Sequence, residues 1–277
     1  MNTRIFGLIG YSILSDTNKL VLVMADKHDS LPPCNYDYHN ISSWLETKFN
    51  KSDILLEEVE RNNNKLQELW SSSQHTQDLK HLYLNNVKII IPIDIRNNYI
   101  PFSWETFNIN ENDIFLYQYL IPINTFFCIQ DHKLATKFKY YNITILKNTP
   151  LGNYFLLLKK EYAKFINKYI AYLYHRISEI IDKQHNILED FNTILHSILE
   201  WYTIARIIYS NNQTIIVHTG LAHSEKIIYY LQKMFEFHVI DSQGINKIEQ
   251  LNNNITSCFL LPSDINYQFG GYHNNYI

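Results

Sequence analysis

Four short apolar runs in this chain each end in residues that a buried strand does not need. KLVLVMADKH (19–28) is β-branched and apolar over its first half and closes on Asp26 and His28. DILLEEV (53–59) closes on Glu57 and Glu58, and VKIIIPIDIR (87–96) on Asp94 and Arg96. QTIIVHT (213–219) closes on His218, with His223 five residues further on. Runs of this length and type read as buried strands. Helical patterns lie between them. Ile41, Trp44, Leu45 and Phe49 stand at helical spacing, and Leu66, Leu69, Trp70, Leu79 and Leu82 do so more loosely across 64–84. AHSEKIIYYLQKMFE (222–236) follows the fourth run, and FHVID (237–241) and SCFLLP (257–262) supply further strands. The run IFGLIGYSIL should pair with the first strand as a hairpin across SDTN. Strands alternating with helices predict an α/β fold with a mostly parallel central sheet flanked by helices.

The middle of the chain follows a different rule. From Phe155 to Ser210 there is neither Pro nor Gly, and apolar residues recur at a period of about 3.6. Leu158, Tyr162, Phe165 and Tyr169 mark the first part, and Phe191, Leu195, Ile198 and Tyr202 the second. Two long helices meeting near DKQHN (182–186) are expected. The reading is one α/β domain over 1–277 carrying a long helical-hairpin insertion at about 155–210.

Charge and cysteine content narrow the function classes. With 24 basic and 27 acidic residues the formal net charge is -3, and no basic face points to nucleic acid. The three cysteines, Cys34, Cys128 and Cys258, are far apart, so neither zinc knuckles nor a disulfide framework is expected. No apolar run approaches the length of a membrane span, because Lys88, Pro92 and Asp94 interrupt the best candidate. No secretory signal pattern is read at the start. An intracellular, cytoplasmic protein with no nucleic-acid or membrane partner is the expectation. Asn, Ile, Lys and Tyr are abundant, as in RNNNK and LNNNI, which suits an AT-rich genome such as that of a large DNA virus or an AT-rich protist. A viral chain would work in the host cytoplasm or the virion.

In open parallel sheets ligands bind beyond the C-terminal ends of the strands. Neighbouring strands would bring the polar tips into one crevice there. Two or three imidazoles with two or three carboxylates suit a divalent metal, or a general base with its orienting partner. Asp26, His28, Glu58, His218 and His223 are the expected ligands if a metal such as Mn, Co or Zn is the cofactor. His28, Glu57, Glu58, Arg96 and His223 are the expected catalytic residues, with Arg96 a fixed charge for an anionic group. The other histidines, among them His39, His75, His81 and His196, stand mostly near amides or surface charge and are assigned no role. No Gly-rich phosphate loop and no G-x-S-x-G elbow occurs.

ADKH (25–28), LLEEV (55–59), DIR (94–96) and GLAH (220–223) resemble, in order, the motifs of the superfamily joining erythromycin esterases, ChaN-like lipoproteins and TraB/Tiki proteins. The resemblance rests on about a dozen residues spread over most of the chain. It implies that His28 acts as base or ligand and that Asp26 stands in for the family's acidic or hydroxyl residue. Glu57 or Glu58 would orient the base or bind metal, Arg96 would contact substrate, and His223 would complete the site. Two departures stand out: Ala25 replaces the family's glycine, and Asp26 is one methylene shorter than the glutamate it replaces.

Two functions from different classes follow. One is a hydrolase-like enzyme whose His/carboxylate centre, with or without metal, activates water against an ester or amide of a small-molecule or peptide substrate. The other is a non-catalytic binding or structural descendant of that fold, with oligomer or virion partners.

Overall fold

The computed structural model describes residues 3–59, 73–96, 123–124, 126–127, 133–138, 141–146, 148–174, 180–251 and 255–270. The sequence-read positions Leu66, Leu69, Trp70 and Cys128 and the tail from 271 lie outside them. In chain order the strands and helices are β1 (Thr3–Phe6), β2 (Gly10–Ser15), β3 (Leu20–Asp26), β4 (His39–Asn40), α1 (Ile41–Glu46), β5 (Asp53–Val59), α2 (Gln74–Asn85) and β6 (Ile90–Asp94). There follow β7 (Lys133–Phe138), β8 (Tyr141–Leu146), α3 (Pro150–Tyr174) and α4 (Ile180–Tyr209). The last third holds β9 (Thr214–Gly220), α5 (Leu221–Phe235), β10 (His238–Gly244), β11 (Cys258–Leu261) and α6 (Ser263–Gln268). The chain divides into two compact units, Met1–Asp94 with Thr203–Ile277, and Ile95–Tyr202. The interrupting unit thus begins well before the helical block expected from Phe155.

The first unit carries a six-stranded sheet in the order β10–β2–β3–β9–β5–β6. β3, β9, β5 and β6 pair in parallel, while β2 is antiparallel to both of its neighbours. The expected hairpin forms from β2 and β3, with Ser15 opposite Leu20, and Asp16 closes the turn by accepting from the Asn18 and Lys19 N–H groups. The first residues of that run instead leave as β1, which joins β11 and β4 in a separate three-stranded sheet.

Val21, Leu22, Val23 and Met24 are all fully buried, as expected of a strand covered on both faces. Leu22, Met24, Ile54, Leu56 and Ile216 pack in one cluster with Ile41, Trp44 and Leu45 of α1 and Leu79 and Leu82 of α2. Ala25 points the other way and packs with Leu221 of α5, and the Ser224 hydroxyl reaches the Met24 carbonyl. The route β3–α1–β5–α2–β6 therefore runs outward on one face, and β9–α5–β10 returns across the other. The connections leave in opposite directions across the sheet from β3 and from β9, and the crevice of an open α/β sheet lies at such a switch point.

Gly10 fixes the outer edge of this sheet. A Cβ there would stand 2.2 Å from the carbonyl oxygen of Ile245, so the β2 and β10 backbones could not keep their spacing. Gly10→Ala is expected to cost about 3 kcal/mol, the upper end for overpacking, because the obstacle is backbone. Equilibrium urea unfolding measures it. A loss below about 0.5 kcal/mol, the range of neutral surface changes, would contradict the assignment.

In the second unit β7 and β8 form an antiparallel pair that the sequence reading did not anticipate. α3 and α4 run past each other in opposite directions: Phe165 meets Phe191, Phe155 meets Trp201, and Lys168 pairs with Asp190. The expected junction at 182–186 is corrected, since α3 ends at Tyr174 and α4 runs continuously from Ile180. Charged and amide side chains without Pro or Gly do not stop a helix. No helix among the described residues is long and apolar enough to cross a membrane.

The cysteine expectation is also corrected. Cys34, in the loop after β3, and Cys258 of β11 are joined in a disulfide with their Cα atoms 5.8 Å apart. They are separated by 224 positions. Local spacing therefore carried no sign of a pairing that arises only when β11 lies against β1.

Candidate functional site

The ends of three adjacent strands build the site. Asp26 at the end of β3 lies opposite Gly220 at the end of β9, and Leu56 of β5 lies opposite His218. Leu56 pairs with Pro92 and Val59 with Asp94, so Glu57 and Glu58 together face the single residue Ile93 of β6. This is a β-bulge, a device that re-aims a side chain at a strand end.

Asp26 is the inner anchor. Its carboxylate is fully buried and its Oδ1 lies 2.8 Å from Nε2 of His75, itself buried on α2. Oδ1 also accepts from the Lys27 N–H at 2.6 Å. Oδ2 faces Nδ1 of His28 at 3.1 Å. Ala25 fills a core position beside Ile9, Leu221 and Ile245.

His28 has φ 57°, in the left-handed region that disfavours a residue with a Cβ. Its ring is about half exposed (49%) and reaches from Asp26 to Glu57, with Nε2 3.7 Å from Glu57 Oε2. Holding a non-glycine residue in that conformation costs roughly 1 kcal/mol, which the surrounding contacts must offset.

Glu57 joins the outer half. Oε2 accepts the Gly220 N–H at 2.7 Å, and Oε1 lies 3.5 Å from Nε2 of His223. Gly220 is the N-cap of α5, so the carboxylate sits at the positive end of a helix. Glycine leaves the imidazole its place: a Cβ on Gly220 would come 3.0 Å from His28 Nε2 and 3.5 Å from Glu57 Oε2. His223, two residues inside the helix, is turned back over this end and is buried.

His218 lies beneath the cluster. It hydrogen-bonds the Gly7 backbone, and its Nε2 is buried with no hydrogen-bond partner among the described residues. Burial lowers its pKa, outweighing the pull of Asp26, so the ring is held neutral.

The other charges follow from the same contacts. Burial opposes the charge on Asp26, but hydrogen bonds from His28 and His75 outweigh it and hold its pKa well below the usual carboxylate range. Burial likewise opposes a charged His28, but Asp26 and Glu57 prevail and raise its pKa to about 10. The stability consequences have opposite signs. His28 contributes fully below its unfolded pKa of about 6.5, and its contribution fades as pH rises toward 10. Asp26 contributes above its unfolded value, and that is lost as acid protonates it. His218 must stay neutral to remain buried, so it penalises folding below about pH 6.5. The His28 contribution should therefore fade from pH 7 toward 10 and be missing in His28→Ala, while Lys48, whose pKa burial lowers to about 8, adds the same rise over the upper part of that range to both proteins. Thermal melts across the range test this, and an identical pH dependence in both proteins would count against the His28 assignment.

The structure thus brings together Asp26, His28, Glu57 and His223, with His218 below them. Glu58 follows Glu57 in the bulge, and Arg96 falls in the second unit. His75 was missed. Its signal lay in the helical stripe it shares with Leu79 and Leu82, a core-facing place for a polar ring. Both nitrogens of His28 face carboxylates, and among the described residues no group of three His, Cys, Asp or Glu is arranged to hold a metal ion. The chain matches no protein-family model, no curated protein and no solved structure.

Proposed function

We propose that this protein is a hydrolase acting on an ester or amide, and that its His/carboxylate centre, of the kind the erythromycin esterase and TraB/Tiki resemblance implies, works as an acid–base pair. The observation that carries this reading is the half-exposed imidazole of His28 held between a buried carboxylate and a second carboxylate at a helix N-terminus. With its pKa raised to about 10, His28 carries a proton at neutral pH and is suited to be the acid, not the base first expected of it. Glu57 is then the base. Water attacks the carbonyl carbon as Glu57 takes its proton. His28 stabilises the developing oxyanion and then protonates the departing alkoxide or amine. The proton on Glu57 passes to His28 once the pair closes from its resting 3.7 Å to hydrogen-bond reach, which restores both groups. His223 orients Glu57, and Asp26 holds His28. The paired helices α3 and α4 are the helical-hairpin part of an insertion into the α/β unit.

A panel of small esters and peptides, assayed with native protein, Glu57→Gln and His28→Ala, tests the reading. Loss of general acid or base should reduce turnover by 10²–10⁴-fold in each variant, with the fold retained. The assay is run after chelation and again with added Mn, Co or Zn. Turnover appearing only with metal would replace the acid–base scheme by the metal centre expected from the sequence. No turnover under any condition would favour the binding or virion component.

A further inference from the structure

We propose that His75 is a positioning residue of this centre, clamping Asp26 so that its second oxygen is presented to His28. The proposal rests on the hydrolase reading for its consequence, although the geometry stands without it. His75 lies in the first turn of α2, whose inward stripe is otherwise Leu79, Leu82 and Tyr83. A leucine would suit such a place, and a buried ring nitrogen without a partner would cost roughly 1–3 kcal/mol. The partner it finds is Asp26, 49 positions earlier, at 2.8 Å.

The division of labour between the two oxygens of Asp26 gives this contact its effect. Oδ1 receives two donors from different directions, the Lys27 N–H of its own turn and Nε2 of His75 from α2. Two donors on one oxygen fix the rotation of the carboxyl group. Oδ2 is then left facing Nδ1 of His28. His28 is in a left-handed conformation that its own backbone disfavours, so its ring orientation depends on this inner contact. Without His75, Oδ1 keeps only the Lys27 N–H, a donor of the same turn that moves with it. Gly7 completes the seat: a Cβ there would lie 3.3 Å from the His75 Cβ, and its backbone also binds His218. The inner side of the site is thus assembled from the β1–β2 turn, the end of β3 and the start of α2.

The test uses histidine ring ¹⁵N labelling of the full chain and reads the solvent exchange of the His28 Nδ1–H, assigned by its absence in His28→Ala. No substrate enters this measurement, so its outcome is separate from the fate of the hydrolase proposal. His75→Leu keeps the apolar stripe and removes the donor; His75→Gln keeps a terminal N–H at a similar reach. The expected result is exchange at least tenfold faster in His75→Leu, with His75→Gln within about threefold of native. Native exchange in a folded His75→Leu protein would overturn the proposal. If His75→Leu fails to fold, His75→Gln decides: a retained signal supports the clamp, and a signal lost from a folded protein overturns it.

Discussion

Replacing Asp26 by alanine is expected to destabilise the fold by about 3 kcal/mol, the lower end of the cost of removing one member of a buried ion pair. The lower end applies because one partner, His28, is half exposed, whereas the other, His75, is buried. The substitution strands the His75 ring nitrogen in the core and removes the contact that orients His28 in its unfavourable backbone conformation. Urea unfolding at pH 7 measures the effect. Asp26→Asn separates its causes. The amide oxygen can still accept from His75 and the Lys27 N–H, so Asn should recover about half of the loss if hydrogen bonding matters as much as charge. A loss below about 1 kcal/mol in the alanine variant would mean that the cluster is not coupled to the fold.

Gly220→Ala should do the opposite, sparing the fold and disabling the centre. The backbone at Gly220 has φ -56°, which alanine adopts without strain. Removing a glycine also restricts the unfolded chain, a gain of roughly 0.4–1 kcal/mol where the new side chain fits. The added methyl meets the mobile tip of His28 at 3.0 Å, so the imidazole gives way and the folded state survives. The displaced ring loses its alignment with Glu57, and a shift of about 1 Å in such a group can cost on the order of 10²-fold in rate. An unchanged melting temperature with hydrolysis reduced about a hundredfold is the expected pair of results. Native turnover in the alanine variant would remove His28 from the chemistry.

These two residues also mark how far the chain could be read in advance. Asp26 stood out because a continuous apolar run ending in Asp and His reads locally as a buried strand with a polar tip, and the same logic located Glu57 and His218. Strand neighbourhood was not legible. That β9 inserts between β3 and β5, and so places Gly220 between His28 and Glu57, depends on long-range pairing. The aim of Glu57 depends on a bulge, a local count of two residues against one that requires knowing the partner strand. His75 escaped for a related reason. A polar residue on a helical stripe looks like a surface residue until the Asp26 that satisfies it is known to lie beneath α2. The role of His28 changed most, because its proton affinity is set by two carboxylates, 2 and 29 positions away, that sequence alone could not put on opposite sides of one ring.

The Cys34–Cys258 bond turns most of this chain into a covalent ring. All of residues 95–202, the stretch that interrupts the sheet-bearing unit, belong to the ring. Closing a loop of this length removes enough freedom from the unfolded chain to stabilise the native state by about 5 kcal/mol on the chain-entropy model. A backbone cut anywhere in that stretch would leave both pieces linked until a thiol reductant separated them. The sheet-bearing unit, assembled from two distant lengths of polypeptide, is in this way stitched into one covalent body independently of the segment that divides it.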